Sequence, residues 1–184
     1  MSVDIFGIDN RREKMRTDWL KAAEMEHLLA ALMPHNRLAL EIAMATGLRI
    51  SDVLGLRADV LRERKDRRIN LREMKTGKRK RITLPVELHR RALALAGRVY
   101  VFEHRTDWRK PRTRQAVYKD LKRVAKMFRL TGNIAPHSTR KIFAVDAYKR
   151  TGDLQKVQTL LNHSSAAVTA LYAMADELAV RNFK

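Results

Sequence analysis

Two histidines, an arginine and a tyrosine stand close together in the last third of the chain, as His137, Arg140, His163 and Tyr172. Their types suit the handling of an anion beside an ionisable phenol. His137 and Arg140 are three residues apart, so on a helix opened by Pro136 they share a face of the first turn. The helix dipole and unpaired N–H groups favour an anion at the same place. A bare His-x-x-Arg recurs by chance and gains weight only with partners. The chain offers a second arginine, Arg49, in a turn between two helices, and a lysine, Lys75, at the tip of a hairpin. By position alone Arg49 reads as a surface arginine and Lys75 as one more phosphate contact. Tyr172 on the same terms is an amphipathic rim residue, like Tyr100, Tyr118 and Tyr148.

The elements that must hold these residues follow from local pattern. Residues 1–20 carry balanced charge without a sustained period and read as a partly disordered leader. Ala22 to Met33 predicts a helix stopped by Pro34. Asn36 is expected to cap the next helix, with Leu38, Ile42 and Ala45 on one face and Gly47 as its stop. Ser51 is expected to cap a short helix after Arg49. Arg68 to Arg72 and Arg79 to Leu84 alternate around Thr76-Gly77, a hairpin signal, with a third short strand expected near Val60. Pro85 opens a helix to about Leu95, and Val99 to Phe102 reads as a buried apolar segment.

Further on, Thr113 caps a helix whose Val117, Leu121, Val124 and Phe128 form a core-facing stripe. Gly152 ends the helix begun at Pro136. Asp153 caps one that carries Leu154, Val157 and Leu161 inward, and Asn162 suits a left-handed stop. Tyr172 ends a short helix, nine residues beyond His163. Ala173 to Lys184 reads as an amphipathic tail seeking a surface, through Leu178, Val180 and Phe183. The fold class expected is mainly α, with a small antiparallel sheet of about three strands packed on the helices.

At 184 residues the chain is one ordinary domain, able to bury roughly two thirds of its unfolded surface. The absence of Cys excludes thiolate zinc sites and Cys nucleophiles, and the six His have no metal-ligand spacing. No Gly-rich phosphate loop appears, which disfavours nucleotide-driven chemistry. No apolar run approaches the roughly 20 residues of a membrane span, so a cytoplasmic protein is expected. Charge is the informative quantity. Lys and Arg number 39 against 20 Asp and Glu, a net +19. Arg62 to Arg81 holds eleven Lys/Arg against three acids, and His104 to Lys126 holds nine against two. One such run is ordinarily a solvated face; two in one small domain point to a polyanion.

Together the motifs resemble the tyrosine recombinases, or phage-type integrases. Thr46-Gly47-Leu48-Arg49-Ile50-Ser51-Asp52-Val53-Leu54 is similar to the family's first arginine box, and Lys75-Thr76-Gly77-Lys78 with Arg81 to Pro85 to its hairpin lysine segment. Pro136 to Arg140 resembles the His-x-x-Arg box. Leu160 to Ser165 with Thr169 and Tyr172 resembles the closing box, Asn162 standing where Gly is usual. The resemblance covers Ala22 to Tyr172, which is the catalytic domain (21–172) it implies, followed by a tail (173–184) exchanged between protomers. Family members carry an N-terminal helical domain of about a hundred residues. Only about twenty precede the catalytic part here, as expected of an excised domain or of a short member similar to the fimbrial-switch recombinases.

What the resemblance implies is transesterification at a DNA phosphodiester. The Tyr172 oxygen attacks phosphorus, leaving a 3′-phosphotyrosyl bond and a free 5′-hydroxyl, and a second strand's 5′-hydroxyl reverses the step. One phosphoester replaces another, so no cofactor, ATP or metal is required in principle. Arg49 and Arg140 fork onto the non-bridging oxygens, Lys75 protonates the leaving oxygen, and His137 takes the Tyr172 proton. His163 donates to a phosphate oxygen, and Asp52 orients the arginines. The basic residues expected to touch double-stranded DNA are Arg72, Lys78, Arg79, Lys80, Arg81, Arg109, Lys110, Arg112, Arg114, Lys119, Lys122 and Arg123. The partners implied are DNA, further copies in a tetrameric synapse and accessory DNA-bending proteins. The same residues permit a topoisomerase-like nicking and resealing. A recombinase-derived module that grips DNA without cutting is the third reading, and the complete set of site residues argues against it.

Overall fold

The computed structural model describes residues 22–130 and 134–173. The leader at 1–20 and the tail beyond 173 lie outside the described residues. The chain forms α1 (Ala22–Ala30), α2 (Pro34–Thr46), α3 (Ile50–Leu54), α4 (Ala58–Glu63), β1 (Arg68–Arg72) and β2 (Arg79–Thr83). It continues with α5 (Val86–Leu95), α6 (Arg114–Met127), α7 (His137–Thr151), α8 (Leu154–Leu161) and α9 (Ala166–Ala173).

Helix α2 is the axis of the fold. Pro34 sits in its first turn, where a missing N–H costs nothing, and Leu38, Ala39, Leu40, Ile42 and Ala43 are all fully buried. Such burial on nearly every side marks a helix packed all round. Helix α7 crosses it, and α1, α3, α5 and α6 also lean on it. The main core joins these helices to Ile69, Ile82 and Leu84 from the hairpin and to Val101 and Phe102. A smaller core, Phe143, Ala144, Ala147, Val157 and Leu161, lies between α7 and α8, with Tyr148 and Tyr172 against it. Helix α7 belongs to both, since Ile142 faces the first and Phe143 the second.

Several local expectations are met by specific bonds. The Thr113 side chain accepts from the Ala116 N–H, and that of Asp153 from Gln155 and Lys156. Gly47, Gly152 and Asn162 stop their helices in the left-handed region, at φ 64°, 63° and 51°. At Gly47 a side chain would also crowd its neighbour: a Cβ there would lie 2.5 Å from the Phe143 ring.

Other expectations are corrected. Among the described residues the sheet has two strands, not three, with Arg68 opposite Thr83 and Arg72 opposite Arg79. Val60 lies in helix α4, and the chain beside it makes only an isolated bridge, Arg57 to Tyr100. Helix α1 ends at Ala30, ahead of Pro34. Asn36 is not a cap but a buried residue inside α2, donating to Asp120 Oδ2 at 2.7 Å and accepting from Arg112 Nε at 2.6 Å. Asp120 also accepts from the Met33 N–H at 3.0 Å and from Arg123, so one carboxylate ties α6 to the α1–α2 junction. Ser51 lies inside α3, whose N-cap position is held by Arg49. Phe128 is 46% exposed, because α6 ends at Met127 and the stripe stops at Val124.

Candidate active site

The first turn of α7, the N-cap of α3 and the turn between β1 and β2 converge on one cleft of about 350 Å³. Leu48, Arg49, Lys75, Arg114, His137 and Arg140 are among its lining residues. A larger cavity of about 720 Å³ lies behind the hairpin, lined by Leu54, Val60, Ile69 and Leu71. It lacks Arg49, Lys75, His137 and Arg140, which the smaller cleft brings together.

Arg140 is 1% exposed, which is rare for a permanently charged group and demands partners. Its Nη1 donates to the Gly47 carbonyl and its Nη2 to the Leu161 carbonyl, the orphan ends of α2 and α8. Each of these nitrogens keeps a second N–H, and Nε has no protein partner. Burial and the neighbouring Arg49 lower its pKa to about 10, so it remains cationic at neutral pH. The left-handed turn at Gly47 is therefore part of the site, since it delivers the carbonyl that Arg140 grips.

Arg49 is mostly covered, with its Nη1 at 2.8 Å from Glu73 Oε2. Glu73 was not among the residues singled out from the sequence. It opens the turn that carries Lys75 and is 1% exposed. Asp52, buried next to it, accepts the Met74 N–H at 2.8 Å. Its hydrogen bond thus holds the hairpin turn, and the carboxylate in contact with Arg49 is Glu73. Burial, with the Glu73 charge, raises the Asp52 pKa despite the Met74 bond and the arginines. Burial also opposes ionisation of Glu73, but the Thr76 and Arg49 contacts outweigh it and leave its pKa below the ordinary value. Lys75 is exposed at the turn, at the mouth of the cleft.

Tyr172 closes the site from α9. Its hydroxyl is hydrogen-bonded to His137 Nε2, and its ring meets the His163 ring edge-on at a centroid distance of 5.2 Å. Burial raises the phenol pKa against the pull of Arg140 and Arg49, so the group is neutral at pH 7. Crowding, and then the charges of Arg140, Lys141, Arg49 and Lys75, hold the His137 imidazole below its ordinary value. Water at its exposed edge tempers both the crowding and the four charges. Half-buried His163 is lowered to about 4 by burial and by Arg140 and Arg49. Both histidines are neutral at pH 7. Thr169, fully buried, holds His163 by Nδ1 at 3.2 Å and donates its own proton to the Ser165 carbonyl at 3.2 Å. The imidazole therefore donates from Nδ1 and leaves Nε2 as an acceptor.

The six residues read from the sequence as one site thus lie together, reached from four elements and the hairpin turn. The sequence profile of the Phage integrase family matches residues 18–178. The chain belongs to the phage integrase family. Over 137 residues it is 34% identical to the probable integrase/recombinase YoeC of Bacillus subtilis (strain 168), which covers 72% of this chain and 73% of that protein. It is 30% identical over 178 residues to tyrosine recombinase XerD of Pseudomonas aeruginosa (83% of this chain, 56% of XerD). The chain spans about half the length of the XerD relatives it matches. Its fold is that of λ integrase in a dimer bound to a COC′ core site (TM-score 0.72, 22% identity, 87% of this chain and 49% of that one) and of XerA recombinase (TM-score 0.69, 21%, 92% and 63%).

In this integrase-family chain the other basic residues differ in exposure and in their partners. Arg72, Lys78, Arg79, Arg81, Arg109, Lys110, Arg114 and Lys119 are exposed, with Arg114 in the cleft itself. Arg112, Arg123 and Lys80 are engaged within the protein. Arg112 binds Asn36, Arg123 binds Asp120 and the Ala31 carbonyl, and Lys80 Nζ reaches the Thr46 carbonyl at 3.4 Å. Lys122 lies over the Tyr118 ring at 5.5 Å. Burial, then the charge of Arg140, lowers the Lys80 pKa to about 8.

Proposed function

We propose that the chain is the catalytic part of a site-specific DNA recombinase or integrase that cuts and rejoins strands through a 3′-phosphotyrosyl bond on Tyr172. The observation that carries this reading is the hydrogen bond between Tyr172 and a neutral His137, at the edge of a cleft lined by Arg49 and Arg140. A phenol kept neutral needs a proton acceptor when it attacks, and one is already in contact with it.

In the proposed step the Tyr172 oxygen bonds to phosphorus as its proton passes to His137 Nε2. The bond from phosphorus to the 5′-oxygen breaks, and a Lys75 proton goes to that oxygen. Arg49 and the unpaired N–H groups of Arg140 face the non-bridging oxygens, where the charge builds. A DNA phosphate offsets the cations that depress His137, making it a better base once substrate is bound. His163 Nε2 is an acceptor in the free protein, so its bond to a phosphate oxygen requires the imidazolium, again favoured by the phosphate charge. The exposed basic side chains of the hairpin and of 105–119 hold the flanking DNA backbone. A solved relative of the same fold, XerH recombinase, is described as bound to palindromic difH substrate in a post-cleavage complex.

Nicked suicide substrates made from DNA flanking the gene test this reading. The expected result is a protein–DNA band in denaturing gels that is absent with Tyr172→Phe. A band that persists in that variant overturns the assignment of the nucleophile.

A further inference from the structure

The tip of the hairpin is held in a way that the reaction alone does not require. Glu73 is a carboxylate with 1% of its surface exposed, placed on a turn rather than in a helix. Burying a charge there is costly unless it is paired and hydrogen-bonded. One oxygen, Oε2, serves two partners: it lies 2.8 Å from Arg49 Nη1 and accepts the Thr76 hydroxyl at 2.6 Å. The backbone of the same residue closes the turn, its N–H donating to the Lys78 carbonyl at 2.9 Å and its carbonyl accepting from Gly77 at 2.8 Å. Asp52 adds a third fastening through the Met74 N–H.

Lys75 stands between these anchors. Met74 before it and Thr76 after it are both bound, while the Lys75 side chain is exposed at the cleft mouth. A four-carbon ammonium on a loose turn would sample many positions, and misplacement by an ångström costs about 10²-fold in rate. Charge balance alone does not explain the arrangement. A carboxylate that merely offset Arg49 would have no need of the Thr76 bond or of a place in the turn.

We propose that Glu73 is a positioning residue that locks the Lys75 turn onto Arg49, so that the proton donor and the phosphate-binding arginine are set as one unit. Glu73 touches neither the reacting atoms nor the DNA, and it acts by fixing where the Lys75 ammonium meets the leaving 5′-oxygen. The inference rests on Lys75 being the proton donor.

The test compares suicide substrates whose scissile phosphate carries a bridging 5′-oxygen or a bridging 5′-sulfur. A thiol has a pKa of about 8.5 and leaves as thiolate without a proton, so sulfur removes the need for Lys75. With the full chain, Lys75→Ala should cleave the oxygen substrate on the order of 10²-fold slower and the sulfur substrate near the unmodified rate. Glu73→Gln, which keeps the shape and loses the charge, should show the same pattern. Thr76→Val, which removes only the hydroxyl bond to Glu73, should show it more weakly. Rescue of Lys75→Ala without rescue of Glu73→Gln and Thr76→Val overturns the role of Glu73 and leaves the general-acid reading intact. Full activity of both variants on oxygen does the same. Failure of sulfur to rescue Lys75→Ala overturns the general-acid reading first, and the proposal with it.

Discussion

The Tyr172 hydroxyl is hydrogen-bonded to His137 Nε2 across 35 residues of chain, joining the last described helix to the first turn of α7. Both groups are neutral at pH 7, because burial raises the phenol pKa and burial and nearby cations lower that of the imidazole. The pair is therefore a base in contact with its acid, awaiting the charge of a substrate.

Removal of that base should be felt in the chemical step and not in binding. His137→Ala is expected to slow single-turnover cleavage of a suicide substrate by about 10²–10⁴-fold. DNA affinity in a gel-shift titration should stay within a few-fold, since the exposed arginines and lysines proposed to hold the DNA backbone are unchanged. A loss of affinity that matches the loss of rate would show that His137 binds rather than reacts.

The Thr169 hydroxyl fixes which nitrogen of His163 carries the proton. Thr169→Val keeps volume and removes this partner, so the ring is free to turn or to change tautomer. Cleavage should fall about 10-fold or more, by analogy with partners of ligating histidines, while the melting temperature moves little. Rate constants and melting curves measured side by side distinguish this from simple unfolding.

Acid should destabilise the domain earlier than carboxylate protonation alone predicts. His163 titrates at about 4 in the folded chain against about 6.5 when unfolded, so between these values the unfolded state binds more protons. Stability then rises with pH across this window and is lost as pH falls from about 6.5 towards 4. His137 is shifted in the same direction and adds to it. The depressed Glu73 and Asp120 carboxylates add their losses below the ordinary carboxylate value. Melting temperatures from pH 7 to 4.5 should fall less steeply for His163→Gln.

Gly47 combines a left-handed φ of 64° with a Cβ position 2.5 Å from Phe143, and its carbonyl accepts from Arg140. Gly47→Ala is expected to cost about 1–3 kcal/mol in urea unfolding, from strain and overpacking. Cleavage at a temperature where the variant is folded should drop as well, because Arg140 follows that carbonyl.

Much of the local frame is legible in the sequence. Thr113 and Asp153 cap their helices, and Gly47, Gly152 and Asn162 end theirs, because each acts on backbone within a few residues of itself. The spacing of Lys75, His137, Arg140, His163 and Tyr172 was equally visible, since resemblance to a family reads order along the chain. Val60, Asn36 and Phe128 went otherwise. A short polar–apolar alternation fits a strand or one helical turn, a capping side chain also fits a buried bond, and a stripe does not say where its helix stops.

What the sequence by itself determined is the family, the candidate site residues and several helix caps and stops, because those depend on residue type and short-range bonding. Only the tertiary structure decided who holds whom. Glu73 meets Arg49, Arg140 reaches Gly47 across 93 residues, Asn36 meets Asp120 across 84, and Thr169 sets the His163 proton. Such partners are chosen by burial: a charge or amide removed from water must be satisfied by whatever the packing of two cores brings within about 3 Å.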